Sequence, residues 1–575
     1  MPDDPARRLS HRPPIRARHY LAASGNYLAT VAAMRILDRG GNATDAGVAA
    51  GICLNVLMPD LTNFGGVAPI IAYDRGRNEL RSISGLGPWA RDVTLEAYRE
   101  RWGDRIPPGV ARCVVPGAPS AWLTALARFG TMSFAEIAQP ALELCERGFP
   151  VYPSLQRSIR ESSGLLRTWP SNAEIFLRGG GEPEIGGILV QADMGRTFRT
   201  LIAAEEKANG TREEKIEAAH DEFYQGEIAE TIAAFVSDGS GFMSLSDLAG
   251  FRAEVETPVS TSYRGIDVYM CGPWCQGPVL GQALNILEGF ALAGMEHNSA
   301  DHLHVVAQSL NLAFADRDAY YADPRFADVP IERLMSKEYA AYQRARISME
   351  RAFDRMPAGG LGLRSDRAEP GPQPERSPFP QPDTSYVCVV DRDGNAFSAT
   401  PSDGMVTSPI VPGLGLLCSG RGYQSWLDPA HPARIEGGKR PRLTPSPAMA
   451  FRDGKLLMPF GTPGHDMQPQ AMVQAFVNIV DFGMEVQEAI EQPRVATSNF
   501  PGTGWPHPYT PAGMGVEGRI PQSVVDDLAR RGHVIEQWPR WSRRAGNICA
   551  IVVDHDNGAL CGGADARAEA YALGW

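Results

Sequence analysis

The sequence predicts an α+β protein in which a helix-rich first part and a hairpin-rich last part jointly build one layered fold. Three observations carry this. Helical apolar spacing dominates the first 383 residues, most of all 117–345. Strand-like runs closed by Asp-Gly and Asn-Gly turns recur over 384–575. The two regimes meet at a Pro-, Gly- and charge-rich stretch, 352–383, whose composition cannot build a core and predicts a mobile surface linker. Helices followed by hairpins point to a layered α+β pattern rather than a doubly wound one.

In chain order, residues 1–20 read as a flexible arm rich in Arg and Pro. Leu28 to Leu37 has helical spacing and stops at Gly40-Gly41. Thr44-Asp45 opens a second apolar helix that Pro59 ends, and Val67 to Tyr73 reads as a buried strand before the turn Asp74-Arg75-Gly76. Periodic helices follow at Ala118–Phe129, Gln282–Gly289 and Ala300–Ala315. Beyond the linker, Thr384 to Val390 is strand-like, Asp393-Gly394-Asn395 is a hairpin turn, and Ala396–Thr400 is the return. Similar turns recur at Asp453-Gly454 and Asp556-Asn557-Gly558. Pro469 opens a helix expected to run to about Phe482, with Gly483 as its stop.

Composition excludes several classes. The chain has 575 residues, 43% hydrophobic and 21% charged, with net charge −12. An acidic balance argues against nucleic-acid binding, which needs a basic surface. The nine cysteines are scattered and odd in number, so neither a disulfide scaffold nor a zinc set is expected. The most apolar stretch, Ala46 to Met58, is too short to span a bilayer. The N-terminus has no apolar signal region. The expectation is a cytoplasmic protein without membrane or nucleic-acid partners and without cofactor or metal. His302 and His304 project about 200° apart on a helix and do not share an ion. No Walker loop, dinucleotide fingerprint or Gly-x-Ser-x-Gly elbow is present.

The junction Asp383-Thr384 carries the chemistry. One reading is a linker meeting a domain whose first strand opens on Thr, a common strand residue. The other makes Thr384 a nucleophile whose hydroxyl attacks the preceding carbonyl. The freed α-amino group, with an ordinary pKa of about 7.7–8.0, then serves as base for that same hydroxyl.

Ordered motifs surround this junction. They include Gly40-Gly41-Asn42-Ala43-Thr44-Asp45-Ala46, Asn63-Phe64-Gly65-Gly66, Val115-Pro116-Gly117 and Phe314-Ala315-Asp316-Arg317. Val389-Val390-Asp391-Arg392-Asp393-Gly394-Asn395, Gly461-Thr462-Pro463-Gly464 and Gln492-Pro493-Arg494 follow. With them the chain resembles the γ-glutamyltransferase family of N-terminal nucleophile hydrolases from about Tyr20 to Trp575. The resemblance implies an αββα four-layer sandwich and self-cleavage into a large segment, 21–383, and a small segment, 384–575. A homodimer of such pairs is left open. It implies that Thr384 is the nucleophile, that Ser402 holds its freed amino group, and that backbone N–H groups at Gly464 and His465 form the oxyanion hole.

The departures concern the substrate. The family's Thr-Thr-His reads Thr384-Ser385-Tyr386 here. Ser84 aligns with the Arg that clamps the glutamyl α-carboxylate, and Arg421-Gly422-Tyr423-Gln424 replaces the acidic segment that holds the α-amine. Leu443-Thr444 stands where paired serines touch the carboxylate. Losing both clamps weakens recognition of a zwitterion. The substrate-binding candidates are therefore Arg421, Tyr423, Gln424, Thr444 and Ser84. The expected activity is hydrolysis of a small-molecule amide whose acyl group carries a carboxylate, for example an oxamate-like compound. The alternatives are a true γ-glutamyl hydrolase or transpeptidase and an unprocessed binding protein.

Overall fold

The computed structural model describes residues 10–361 and 383–575. The hairpin after Thr384 forms as the turn chemistry predicts. Val387–Val390 pairs antiparallel with Ala396–Ala399, and Asp391 accepts from the backbone N–H groups of Asp393 and Asn395, an Asx-type closure. Both strands are buried along their whole length. Burial on both faces requires neighbours from elsewhere in the chain. Leu21–Ser24 pairs on one side and Ile70–Asp74 on the other. Tyr571–Gly574, Glu79–Ile83 and Val255–Glu256 complete this seven-stranded sheet.

A second seven-stranded sheet runs from Ile15–Ala17 through Ala559–Ala564, Cys549–Asp554, Lys455–Gly461, Ala448–Arg452 and Ile266–Met270 to Val259–Tyr263. Every pairing in both sheets is antiparallel. Side chains alternate between faces with period two, and three cores result. Cys388, Val390 and Ile71 of the first sheet join Met449, Phe451 and Ile551 of the second in one core. Val387, Val389 and Phe397 face the other way, onto a core shared with helices Tyr27–Asp38, Ala43–Leu57 and Ala118–Phe129. Val268, Ala448 and Phe460 pack with helices Gly277–Leu287, Ala300–Tyr320 and Met467–Val480. Asn42 and Asp45 close a capping box at the second of the early helices, which starts that helix at Ala43, one residue before the Thr44-Asp45 expected to open it.

Three expectations need correction. Of the arm expected over 1–20, residues 1–9 lie outside the described residues, but Ile15–Ala17 is an edge strand on Ala559–Ala564. Of the linker expected over 352–383, residues 362–382 lie outside the described residues. Its beginning is docked, with Ala352 N–H donating to Arg531 O at 2.8 Å and Phe353 N–H to Gln308 Oε1 at 3.1 Å. The helix expected from Pro469 spans Met467–Val480. Pro469 sits in its first turn, where a missing N–H leaves no bond unmade.

All nine cysteines are buried and unpaired. Among the described residues no helix is long and apolar enough to cross a membrane. The histidines at 297, 302 and 304 go to separate partners: Asn478, the backbone N–H of Asn298, and His533.

Candidate active site

Thr384 is fully buried at the entry to the central hairpin. A backbone bridge holds it against Ser402, and Ser402 N–H donates to Val67 O at 2.9 Å. The two glycines before Val67 permit this approach. A Cβ on Gly66 would stand 2.2 Å from Ser402 O, and one on Gly65 would stand 2.0 Å from Leu417 O. The Asn-Phe-Gly-Gly motif thus brings three chain segments together around the threonine.

The hydroxyls of Thr384 and Ser402 lie 2.8 Å apart. Ser402 Oγ donates to the Asp383 carbonyl oxygen at 2.7 Å, and Thr384 Oγ1 donates to Asp383 Oδ1 at 3.1 Å. The nucleophile candidate is therefore surrounded by the residue whose carbonyl it would attack. Its hydroxyl faces a carboxylate, and the carbonyl is already polarised.

Arg421 enters from a short helical turn, Arg421–Gln424, and is wholly buried. Its Nη2 lies 3.0 Å from Asp383 Oδ2 and also donates to Ser402 Oγ, while Nε lies 2.9 Å from Asp403 Oδ1. One guanidinium thus serves two carboxylates. Burial opposes the charge on Asp383, but Arg421 and His465 together hold its carboxyl below the usual aspartate range. Burial holds Asp403 above that range despite Arg421, with Asp383 adding to the rise. Ser419 Oγ donates to the far oxygen of Asp403 at 2.7 Å.

His465 closes the opposite side. Its Nε2 lies 3.1 Å from Asp383 Oδ1, and its Nδ1 lies 3.2 Å from the Tyr423 hydroxyl. Tyr423 OH also lies 3.4 Å from Asp383 Oδ2. Gly464 has φ +125° and His465 φ +52°, and Asp403 has φ +83°. Left-handed backbone at a non-glycine residue is strained. Two such residues, His465 and Asp403, point their side chains into this one cluster.

Behind them, Gln424 Nε2 donates to Thr444 Oγ1 at 3.0 Å. Gln276 Nε2 donates to Thr444 O at 3.1 Å and to His465 O at 2.7 Å. Arg317 donates to Gln276 Oε1 at 3.0 Å and pairs with Asp466, whose carboxylate also takes Thr503 N–H. The structure therefore gathers Asp383, Thr384, Ser402, Arg421, Tyr423, Gln424, Thr444 and His465. Gly464 lies in the same backbone turn. Ser84 is a correction: its hydroxyl accepts from Glu254 N–H at 3.2 Å and lines a different cleft with Trp89, Arg91 and Arg325. Sequence reasoning missed Asp403, Gln276 and the Arg317–Asp466 pair. Only Arg317 lay within a quoted motif.

The sequence model of the γ-glutamyltranspeptidase family matches residues 29–575. The chain belongs to the γ-glutamyltranspeptidase family. It is 33% identical over 556 residues to the glutathione hydrolase-like YwrD proenzyme of Bacillus subtilis, covering 96% of this chain and 98% of that one. It is 34% identical over 569 residues to the acylase ACY 1 proenzyme of a Pseudomonas species, covering 96% and 92%. Cephalosporin acylase from Bacillus halodurans shares the mixed helix-and-sheet fold with a TM-score of 0.85 at 29% identity, covering 100% of this chain and 99% of that one. As a member of this family the chain is an enzyme of the N-terminal nucleophile hydrolase type.

Proposed function

We propose that this enzyme is a proenzyme that cuts its own Asp383–Thr384 bond and then hydrolyses amides through an acyl-enzyme on Thr384. The observation that carries this is the convergence of Thr384 Oγ1, Ser402 Oγ and Arg421 on Asp383.

In processing, Thr384 Oγ1 attacks the Asp383 carbonyl carbon while its proton passes to the Asp383 carboxylate. Ser402 stabilises the oxygen as it becomes anionic. The C–N bond breaks as that proton passes on to the leaving nitrogen, giving an ester to Thr384 and a free α-amino group, and water cleaves the ester. The products are the segments 1–383 and 384–575, packed as an αββα four-layer sandwich whose two sheets each take strands from both segments.

In turnover the α-amino group becomes the base, held by Ser402, and its ordinary pKa of about 7.7–8.0 suits proton transfer near neutrality. The N–H groups of Gly464 and His465, just before the helix Met467–Val480, serve as oxyanion donors. Arg421 receives a carboxylate on the acyl group by a charge-assisted bond. A γ-glutamyl group would also need an acid for its ammonium. Asp403 stays beside Arg421 once Asp383 has left, but its oxygens are engaged by Arg421 and Ser419. This favours an acyl group carrying a carboxylate without that ammonium.

Electrophoresis and N-terminal sequencing test the proposal. The wild type should yield a small chain beginning at Thr384, and Thr384→Ala should stay one chain, since a methyl group has no nucleophilic oxygen. A small chain beginning elsewhere would remove Thr384 from the mechanism.

A further inference from the structure

We propose that the Asp383 side chain is an internal copy of the substrate's acyl group, so that the mature site takes amides of four-carbon dicarboxylic acids, the succinyl class. The inference rests on Thr384 being the nucleophile of both processing and turnover.

Asp383 presents two groups at a fixed separation. Its main-chain carbonyl is the electrophile that Thr384 attacks, and its carboxylate lies two carbons further on. The carbonyl oxygen accepts from Ser402 at 2.7 Å, and the carboxylate meets Arg421 at 3.0 Å and His465 at 3.1 Å. Every one of those partners belongs to the segment 384–575. They stay with Thr384 after cleavage, whereas Asp383 ends the other segment. Departure of Asp383 leaves a pocket bounded by the nucleophile, which itself met the departed carboxylate at 3.1 Å, and by the Arg421 and His465 groups that received that carboxylate.

The substrate carbonyl carbon must come within reach of the same Oγ as the Asp383 carbonyl carbon, while its oxygen turns to the Gly464 and His465 N–H groups instead of Ser402. The receptor end has little freedom. Arg421 is wholly buried and tied to Asp403, while Thr384, Ser402 and Asp403 are also sealed from solvent. The acceptable spacing between carbonyl and carboxylate is therefore the one Asp383 shows: carbonyl, two carbons, carboxylate. A malonyl group is one C–C bond short, about 1.5 Å, more than the roughly 0.5 Å spread of good hydrogen-bond distances. An oxalyl group is two bonds short. A glutaryl group must buckle to fit.

Charge points the same way. Arg421 serves two carboxylates while Asp383 is present. When Asp383 leaves, a face of the buried guanidinium loses its partner, and an acyl carboxylate restores it. A neutral acyl group cannot. A site built to bond a polar group rejects analogues lacking it far more strongly than it rejects a change of one methylene.

The reaction balances. Thr384 Oγ bonds the succinyl carbonyl carbon and its proton reaches the departing amine through the α-amino group as the amide C–N bond breaks. Water then attacks the ester, the C–Oγ bond breaks, and the dicarboxylate leaves with Thr384 restored.

The test uses the processed two-chain enzyme and 4-nitroanilides of oxalic, malonic, succinic and glutaric acids, with γ-glutamyl and butyryl 4-nitroanilide. Succinyl should give the highest kcat/KM, about 10-fold or more above malonyl and glutaryl and about 100-fold or more above butyryl. Calorimetric titration with malonate, succinate, glutarate and butyrate should show succinate binding tightest, with that preference lost in Arg421→Lys. Hydrolysis that favours glutaryl, γ-glutamyl or butyryl would overturn the succinyl inference while leaving the amidohydrolase reading standing. No hydrolysis of any anilide by processed enzyme would overturn that reading instead. Calorimetry then decides the pocket by itself: a succinate preference sustains the inference, and its absence ends it.

Discussion

Replacing Asp383 by Asn separates the charge of this residue from its shape. The carboxylate accepts the Thr384 hydroxyl at 3.1 Å, which makes it the base in the proposed processing step. General-base assistance is worth roughly 10²–10⁴ in rate. Asn keeps the volume and the carbonyl but does not take up the proton, so self-cleavage should slow by about 100-fold or more. The fold should tolerate the change, because Arg421 keeps Asp403 at 2.9 Å and a repulsion between two buried carboxylates is removed. Pulse-labelled cell-free synthesis followed by electrophoresis reads the conversion of one band into two. The pH profile supplies the sign. Arg421 and His465 hold the folded Asp383 carboxyl below its usual range, so the charged, proton-accepting form persists as pH falls. Wild-type cleavage should stay level from neutral pH down to the ordinary aspartate range, about 3.9, and decline only below it. The stability that the Arg421–Asp383 pair adds should likewise be present above that range and be lost as pH falls through the lowered folded value. Cleavage of Asp383→Asn at the wild-type rate would refute the base role.

Four further outcomes follow from the same geometry. Gly464→Val should lower kcat by about 100-fold, because φ +125° and Met467 Cβ at 3.2 Å displace the valine and with it an oxyanion donor. His465→Gly should relieve the strain of φ +52° and raise the urea midpoint, yet slow processing through loss of the contact with Asp383; equal stability and processing would exclude a role for the imidazole. Arg421→Lys should raise KM for acidic amides at least 10-fold while cleavage at Thr384 continues, because a point charge replaces a two-sided fork, and steady-state kinetics on processed enzyme reads this. Arg317→Met should destabilise by about 2 kcal/mol in urea unfolding, since it removes the buried cation that pairs with the partly exposed Asp466 and bonds Gln276.

Local chemistry made much of this protein legible in its sequence. The Asp391–Asn395 turn needs only an Asx residue and Gly394 at φ +81°, and the helix Ala43–Leu57 needs only a capping box and an apolar run. Such signals act within a few residues, so they survive in a single sequence. Tertiary structure decided the rest. Nothing local places Val387–Val390 between Leu21–Ser24 and Ala396–Ala399, or makes Ile15–Ala17 an edge strand beside Ala559–Ala564. Motif alignment put Ser84 in the substrate site, but closure of the sheet gives its hydroxyl to Glu254 N–H. Arg421 was visible as a cation, yet its partners were not. Asp403 reaches it through a left-handed backbone turn, and Asp383 reaches it because the hairpin entry carries it there. A buried charge is defined by what surrounds it, and those surroundings exist only when segments far apart in sequence close on one another.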